Sequence, residues 1–138
     1  FVLYDSFGMS DKRQKFLDLL ILSLYMKKPF HIFDNNKQID LSPVTFISES
    51  ILKMMLNNIE FRNLCIASFK PLLLSELYNK VNENMPINIK SKIKLKKSNN
   101  IKPICYPSHK IDLISYPNIE NEIKNHISEK CKYLSSVS

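Results

Sequence analysis

The sequence predicts an α/β fold, one short strand followed by a small mixed lobe of helices and short strands, and three observations carry that expectation. The chain opens on Phe1-Val2-Leu3-Tyr4, an apolar run of strand length with no polar lead-in. Further along, segments with apolar residues at helical spacing alternate with short apolar runs of strand type. Of the 138 residues 44% are apolar, which is enough to give one domain a real core.

Residues 1–4 read as a strand entered midway, with its true start expected upstream. Ser10 is placed to cap the next helix, and Asp11 would sit in that helix's first turn. Phe16, Leu17, Leu19, Leu20, Ile21, Leu24 and Tyr25 leave it apolar on most sides, so it must be buried from several directions. Phe30 to Phe33 and Gln38 to Leu41 flank the polar tetrad Asp34-Asn35-Asn36-Lys37, which predicts a hairpin. The spacing of Val44, Ile47, Ile51, Met54 and Met55 predicts an amphipathic helix over 45–57 with that stripe facing the core. Asn63 to Ala67 reads as a short buried strand. Leu73, Leu74, Leu77 and Val81 predict a helix over 72–84, stopped before Pro86. From Ile87 to Lys97, apolar Ile89, Ile93 and Leu95 alternate with Lys90, Lys92, Lys94 and Lys96, which predicts a half-buried strand with a lysine face. Pro117 can start a last helix with Ile119, Ile123, Ile127 and Leu134 on one stripe.

Composition removes several function classes. With Gly8 the only glycine, neither the GxGxxG dinucleotide fingerprint nor the GxxxxGK[ST] phosphate loop is present. No serine lies in a G-x-S-x-G context. Cys65, Cys105 and Cys131 show no CxxC spacing and read as reduced thiols of a cytoplasmic protein. His31, His109 and His126 are far apart and read as surface or capping residues, so no metal site is expected. The apolar stretch from Phe16 to Met26 is interrupted by Asp18 and Ser23, and no membrane segment or basic leader is expected. The formal charge of +7 fits an anionic partner, and equally the lysine bias of an AT-rich coding sequence. Lys90 to Lys102 is the natural nucleic-acid candidate. It has no Phe, Tyr or Trp between residues 79 and 105 on which a base could stack, so a solvated lysine face is the better reading.

One ordered series goes further. Leu3-Tyr4-Asp5-Ser6-Phe7-Gly8-Met9-Ser10-Asp11-Lys12-Arg13 leads into the apolar helix, then Lys28-Pro29-Phe30, then Gln38-Ile39-Asp40-Leu41, Val44 and the helix from Ile47 to Met55. In order and spacing, residues 1–56 resemble the extended short-chain dehydrogenase/reductase family, the NAD(P)-dependent epimerases, dehydratases and reductases of nucleotide sugars. In that family a parallel strand runs into a YGP-like turn and a basic segment, followed by a helix, a hairpin ending in Gln and Asp, and another helix.

The resemblance implies that residues 1–10 end a Rossmann-type parallel sheet and its turn, while residues 11–138 form a small mixed α/β lobe that binds substrate. It also implies that the Gly-rich cofactor loop and the catalytic Tyr-x-x-x-Lys pair belong to an N-terminal half. No catalytic residue is then expected here, and no cofactor bound by this chain alone, NAD or NADP being that half's ligand. A nucleotide-diphosphate sugar would be the ligand, with Asp5, Lys12, Arg13, Gln38, Asp40 and Lys110 as candidate substrate-binding residues. The sequence departs from the pattern where Phe7-Gly8-Met9 replaces YGP, where Phe46 replaces an Asp, and where an Arg beside the hairpin Gln is missing. Without that Arg the diphosphate would rest on Lys12, Arg13 or Lys110, which lack its paired phosphate clamp beside the hairpin. For Gln38 and Asp40, turn and strand-end hydrogen bonding stands level with a ligand role. The strand at residues 1–4 would seek neighbours, through self-association or through the N-terminal half. The alternatives are a small basic nucleic-acid-binding module and a non-catalytic interaction or remnant protein.

Overall fold

Among the described residues two parallel strand pairs and one antiparallel pair are threaded between four helices, so the chain is of mixed α/β class. The computed structural model describes residues 2–3, 5–9, 15–30, 37–58, 65–93, 95, 101–106 and 118–137. Strands β1 (Val2–Leu3) and β2 (Asp5–Phe7) precede helix α1 (Phe16–Tyr25). Strands β3 (Gln38–Ile39) and β4 (Leu41–Pro43) run straight into helix α2 (Val44–Leu56). Strands β5 (Cys65–Ile66) and β6 (Leu72–Leu73), helix α3 (Leu74–Asn84) and helix α4 (Ile119–Ser136) complete the order.

Strand β1 lies parallel to β5, with Val2 opposite Cys65, and β2 lies parallel to β4, with Asp5 opposite Leu41 and Phe7 opposite Pro43. Parallel pairing requires a crossover between the strands, and α1 lies within the one that joins β2 to β4. The third pair, β3 with β6, is antiparallel, with Gln38 opposite Leu73.

Helices α1, α3 and α4 pack around the main core. Leu17, Leu20, Ile21, Leu77, Val81, Ile123 and Ile127 are all at most 2% exposed, and Phe7 and Leu41 close the core from β2 and β4. Each such side chain stabilises the fold by roughly 1.5–3 kcal/mol relative to leaving it exposed. A smaller cluster of Phe46, Ile47, Met54 and Ile66 joins α2 to β5.

Several sequence expectations are corrected. The start of α1 is Lys15 and Phe16, with no side-chain cap, and Asp18 occupies the first turn, whereas Ser10 and Asp11 lie outside the described residues. Residues 31–36, the first arm and turn of the expected hairpin, also lie outside them. Its second arm is no single strand. Gln38–Ile39 pairs with β6, Leu41–Pro43 pairs with β2, and Asp40 marks the change of partner.

In α2 the buried stripe is Phe46, Ile47, Ser50 and Met54, while Val44 and Met55 are exposed. Ser50 tolerates burial because its hydroxyl donates to the Phe46 carbonyl at 2.7 Å. The segment 87–93 with residue 95 is not a strand. It leaves Pro86 in a turn closed by the Ile89 and Lys90 amides on the Pro86 carbonyl, and Ile87 and Ile93 are exposed. Two asparagines of α3 explain why. The Asn82 carboxamide accepts from the Ser91 amide at 2.7 Å and donates to the Ser91 carbonyl at 2.8 Å. Asn79 does the same for Leu95, at 3.0 and 2.9 Å. Side chains thus make the pairings a neighbouring strand would otherwise make. Finally, α4 starts at Ile119 behind Asn118, whose side chain accepts from the Asn121 amide, and Pro117 lies outside the described residues.

Candidate functional site

Of the six residues nominated by sequence, Lys12, Arg13 and Lys110 lie outside the described residues. Asp5 is exposed at the start of β2. Gln38 and Asp40 are drawn together, and their partners are protein groups. The Gln38 side-chain oxygen accepts from the Ile104 amide at 3.2 Å. Asp40 is 1% exposed, and its two oxygens take the Ser68 amide at 2.8 Å and the Tyr106 hydroxyl. A parallel bridge between Lys37 and Lys102 continues the same alignment.

Residues 37–40 therefore hold residues 102–106 alongside them, and the Tyr106 ring reaches Phe69 with centroids 4.9 Å apart. A buried carboxylate needs such donors, because desolvation without them costs several kcal/mol. What Gln38 and Asp40 do in the fold is place this segment.

A cleft of about 630 Å³ opens beside the turn that follows β2, between the start of α2 and one face of α4. Gly8 makes the close approach possible. A Cβ there would lie 3.2 Å from the Cβ and Cγ2 atoms of Val44, tighter than most Cβ contacts, so Val44 would have to give by a few tenths of an ångström. The wall on α4 carries Glu122, Asn125, His126 and Glu129.

Behind the cleft sits a buried charged group. His126 Nε2 is 3.0 Å from Asp18 Oδ1, and Lys130 Nζ is 3.1 Å from the same oxygen. One turn of α4 separates His126 from Lys130, so both reach the single carboxylate that α1 presents. Asp18 is 5% and His126 4% exposed, and the Phe7 ring meets the imidazole edge-on at 5.3 Å. This corrects the expectation of a surface histidine. An imidazole fixed by a carboxylate at the edge of a cleft can hold a proton in a defined orientation. The sequence signal, in hindsight, is the lone Asp18 within an apolar helix and the His126/Lys130 spacing. Nothing local joins two elements 108 positions apart.

Among the described residues no group of three His, Cys, Asp or Glu side chains could hold a metal ion, and no helix is long and apolar enough to cross a membrane. None of the three cysteines is in a disulfide. Burial pushes the Cys131 thiol above its ordinary pKa, and its sulfur lies 3.8 Å from that of Met85, so it behaves as core. Compared with known protein families, curated proteins and solved structures, the chain matches none.

Proposed function

We propose that this chain is the C-terminal, substrate-side part of an NAD(P)-dependent nucleotide-sugar epimerase, dehydratase or reductase. Residues 1–10 end the dinucleotide domain in this reading, and residues 11–138 form the substrate lobe. One observation carries it: β2, the Phe7-Gly8-Met9 turn and α1 lead to a β4 that lies parallel to β2, with Gly8 closing onto Val44 at the start of α2. The order matches that of the family, in which a parallel strand runs into a YGP-like turn and a helix follows.

The partner half would supply NAD or NADP and the Tyr-x-x-x-Lys pair, which moves the proton while hydride passes between sugar and nicotinamide. Lys12, Arg13 and Lys110 would meet the diphosphate, with Asp5 at the mouth. Gln38 and Asp40 would serve by holding residues 104–106 in place. Among the described residues β1 has β5 as its one strand neighbour, which leaves its other edge for the partner half or a second copy.

The test is a nuclear magnetic resonance titration of the labelled chain with UDP-glucose, dTDP-glucose and CDP-glucose, and in parallel with NADH and NADPH. Shifts at Asp5 to Met9 and Gln38 to Ser42 with at least one sugar nucleotide, and no saturable shift of those segments with either reduced cofactor, are expected. Saturable NADH or NADPH shifts at Asp5 to Met9 in the isolated chain would overturn the division into halves. Silence of both segments toward all three sugars would overturn the substrate reading.

A further inference from the structure

The far end of α1 opens onto a different cleft, of about 570 Å³, between residues 27–30 and residues 88–93 with residue 95. Among the described residues three lysines line it, Lys27, Lys28 and Lys90, and no acidic residue does. Their ammonium groups have no ion-pair or hydrogen-bond partner among the described residues. In a chain of charge +7, exposed lysines alone would mean only a solvated surface. Three further features set this place apart.

It is concave, with Leu24, Phe30, Ile89 and Leu95 providing apolar wall. Both of its sides are fixed by uncharged groups, which leaves the lysines uncommitted. The Ser23 hydroxyl donates to the Lys28 carbonyl at 3.0 Å behind Lys27, whose φ of 52° lies in the left-handed region, and the Asn79 and Asn82 carboxamides pin Leu95 and Ser91. Lastly, Tyr78 lines the cleft while only 6% exposed, and its hydroxyl has no hydrogen-bond partner among the described residues. Among the described residues the fully enclosed side-chain polar atoms without a partner are the Ser42 and Ser75 hydroxyls, so the phenol oxygen is not sealed off from solvent. An otherwise buried hydroxyl that is left unpaired is a group a ligand can satisfy.

We propose that this cleft binds a small phosphorylated ligand with a flat apolar body, the chemistry of a nucleoside polyphosphate. The lysines meet the phosphates as point charges, the Tyr78 hydroxyl supplies one directed hydrogen bond, and the body lies against Phe30 and Ile89. This site is separate from the function proposed above, since Asp5, Gln38 and Asp40 do not line it.

ATP titrated into the labelled chain is the probe. Saturable shifts are expected at Lys27 to Phe30 and at Asn88 to Ile93, weakening as salt is raised. The K27A/K28A/K90A variant should bind about tenfold more weakly or worse, and Tyr78→Phe should lose affinity with an unchanged melting temperature, since no protein partner is lost. No saturable shift in those segments at millimolar ATP, or full affinity in the triple variant, overturns the proposal. So does a single-stranded oligonucleotide that binds there more tightly than ATP at physiological salt, which would make the lysines a nucleic-acid surface. Because sugar-nucleotide binding is read at Asp5 to Met9, either proposal can fail while the other stands.

Discussion

The two clefts at the ends of α1 treat charge in opposite ways. At the first turn, Asp18 is buried and draws His126 and Lys130 onto one oxygen, with Glu122 and Glu129 on the cleft wall beyond. Beyond the last turn, about 15 Å away at the rise of an α-helix, Lys27, Lys28 and Lys90 are exposed, and neutral carboxamides and a hydroxyl hold the walls. A charge taken out of water must be matched by charge, and its geometry is then part of the fold. A charge left in water contributes little to stability and stays available to a ligand. Variants of the buried Asp18–His126–Lys130 group should therefore read out in stability, and variants of the exposed lysines at the second cleft in binding.

The harshest test strikes the helix both clefts share. Leu20 is fully buried midway along α1, and Leu20→Asp places an unpaired carboxylate there, at a cost of several kcal/mol against a total of roughly 5–15. Loss of the cooperative melt in circular dichroism is expected. An unchanged melt would mean that α1 is not the common wall.

The sharpest contrast comes next. His126→Ala leaves Asp18 in the core with Lys130 alone and opens a void beside Phe7, so a loss of about 3 kcal/mol in chemical denaturation is expected. Lys27→Ala should cost nothing measurable in the same experiment. Equal losses would erase the distinction between the two clefts.

Asn82→Ala tests the neutral scaffold. It removes both bonds to Ser91 from a side chain that is 5% exposed, for an expected loss of about 1–2 kcal/mol. Hydrogen exchange at the Ser91 amide should accelerate far more than at helical amides of α3. If Ser91 exchanges as before, the segment is held by something other than the carboxamide.

Sequence and structure agree where one element decides its own state. The four helices follow from 3.6-residue spacing, and the apolar strand at the start follows from its composition. They part where a distant side chain decides. Residues 87–97 alternate as a strand does, yet Asn79 and Asn82, 16 and 9 positions upstream, capture the backbone such a strand would have offered to a neighbour. In α2 Ile47, Ile51 and Met54 of the expected stripe face the core while Val44 and Met55 do not, and Ser50, which looks polar in sequence, is buried because it satisfies its own helix. Gln38 and Asp40 were legible as a significant polar pair, but Ile104 and Tyr106, 66 positions away, were not legible as their partners. The same holds for Asp18 and His126. Pairing across the chain is set by the packed core, which no local pattern records.

The smallest expected effect probes the rule for exposed charge outside both clefts. Lys80 of α3 and Glu120 of α4 form an ion pair at 2.6 Å, with side chains 33% and 73% exposed. The hydrogen bond and the charge of Lys80 hold the Glu120 carboxyl below its ordinary pKa, with Lys70 adding a weaker pull. A carboxyl lowered on folding stabilises the native state above its unfolded value of about 4.3, and that contribution disappears as pH falls through the lower folded value. Water surrounds both groups, so the stabilisation is small and salt screens it. A carbon-detected pH titration should place Glu120 below the ordinary carboxylate range, and Lys80→Ala should return it toward that range. The melting temperature should move less in Lys80→Ala than in Asn82→Ala, and less again in high salt. If Lys80→Ala instead lowers it as far as Asn82→Ala does, an exposed ion pair matches a buried amide pair, and the division drawn between the two ends of α1 does not hold.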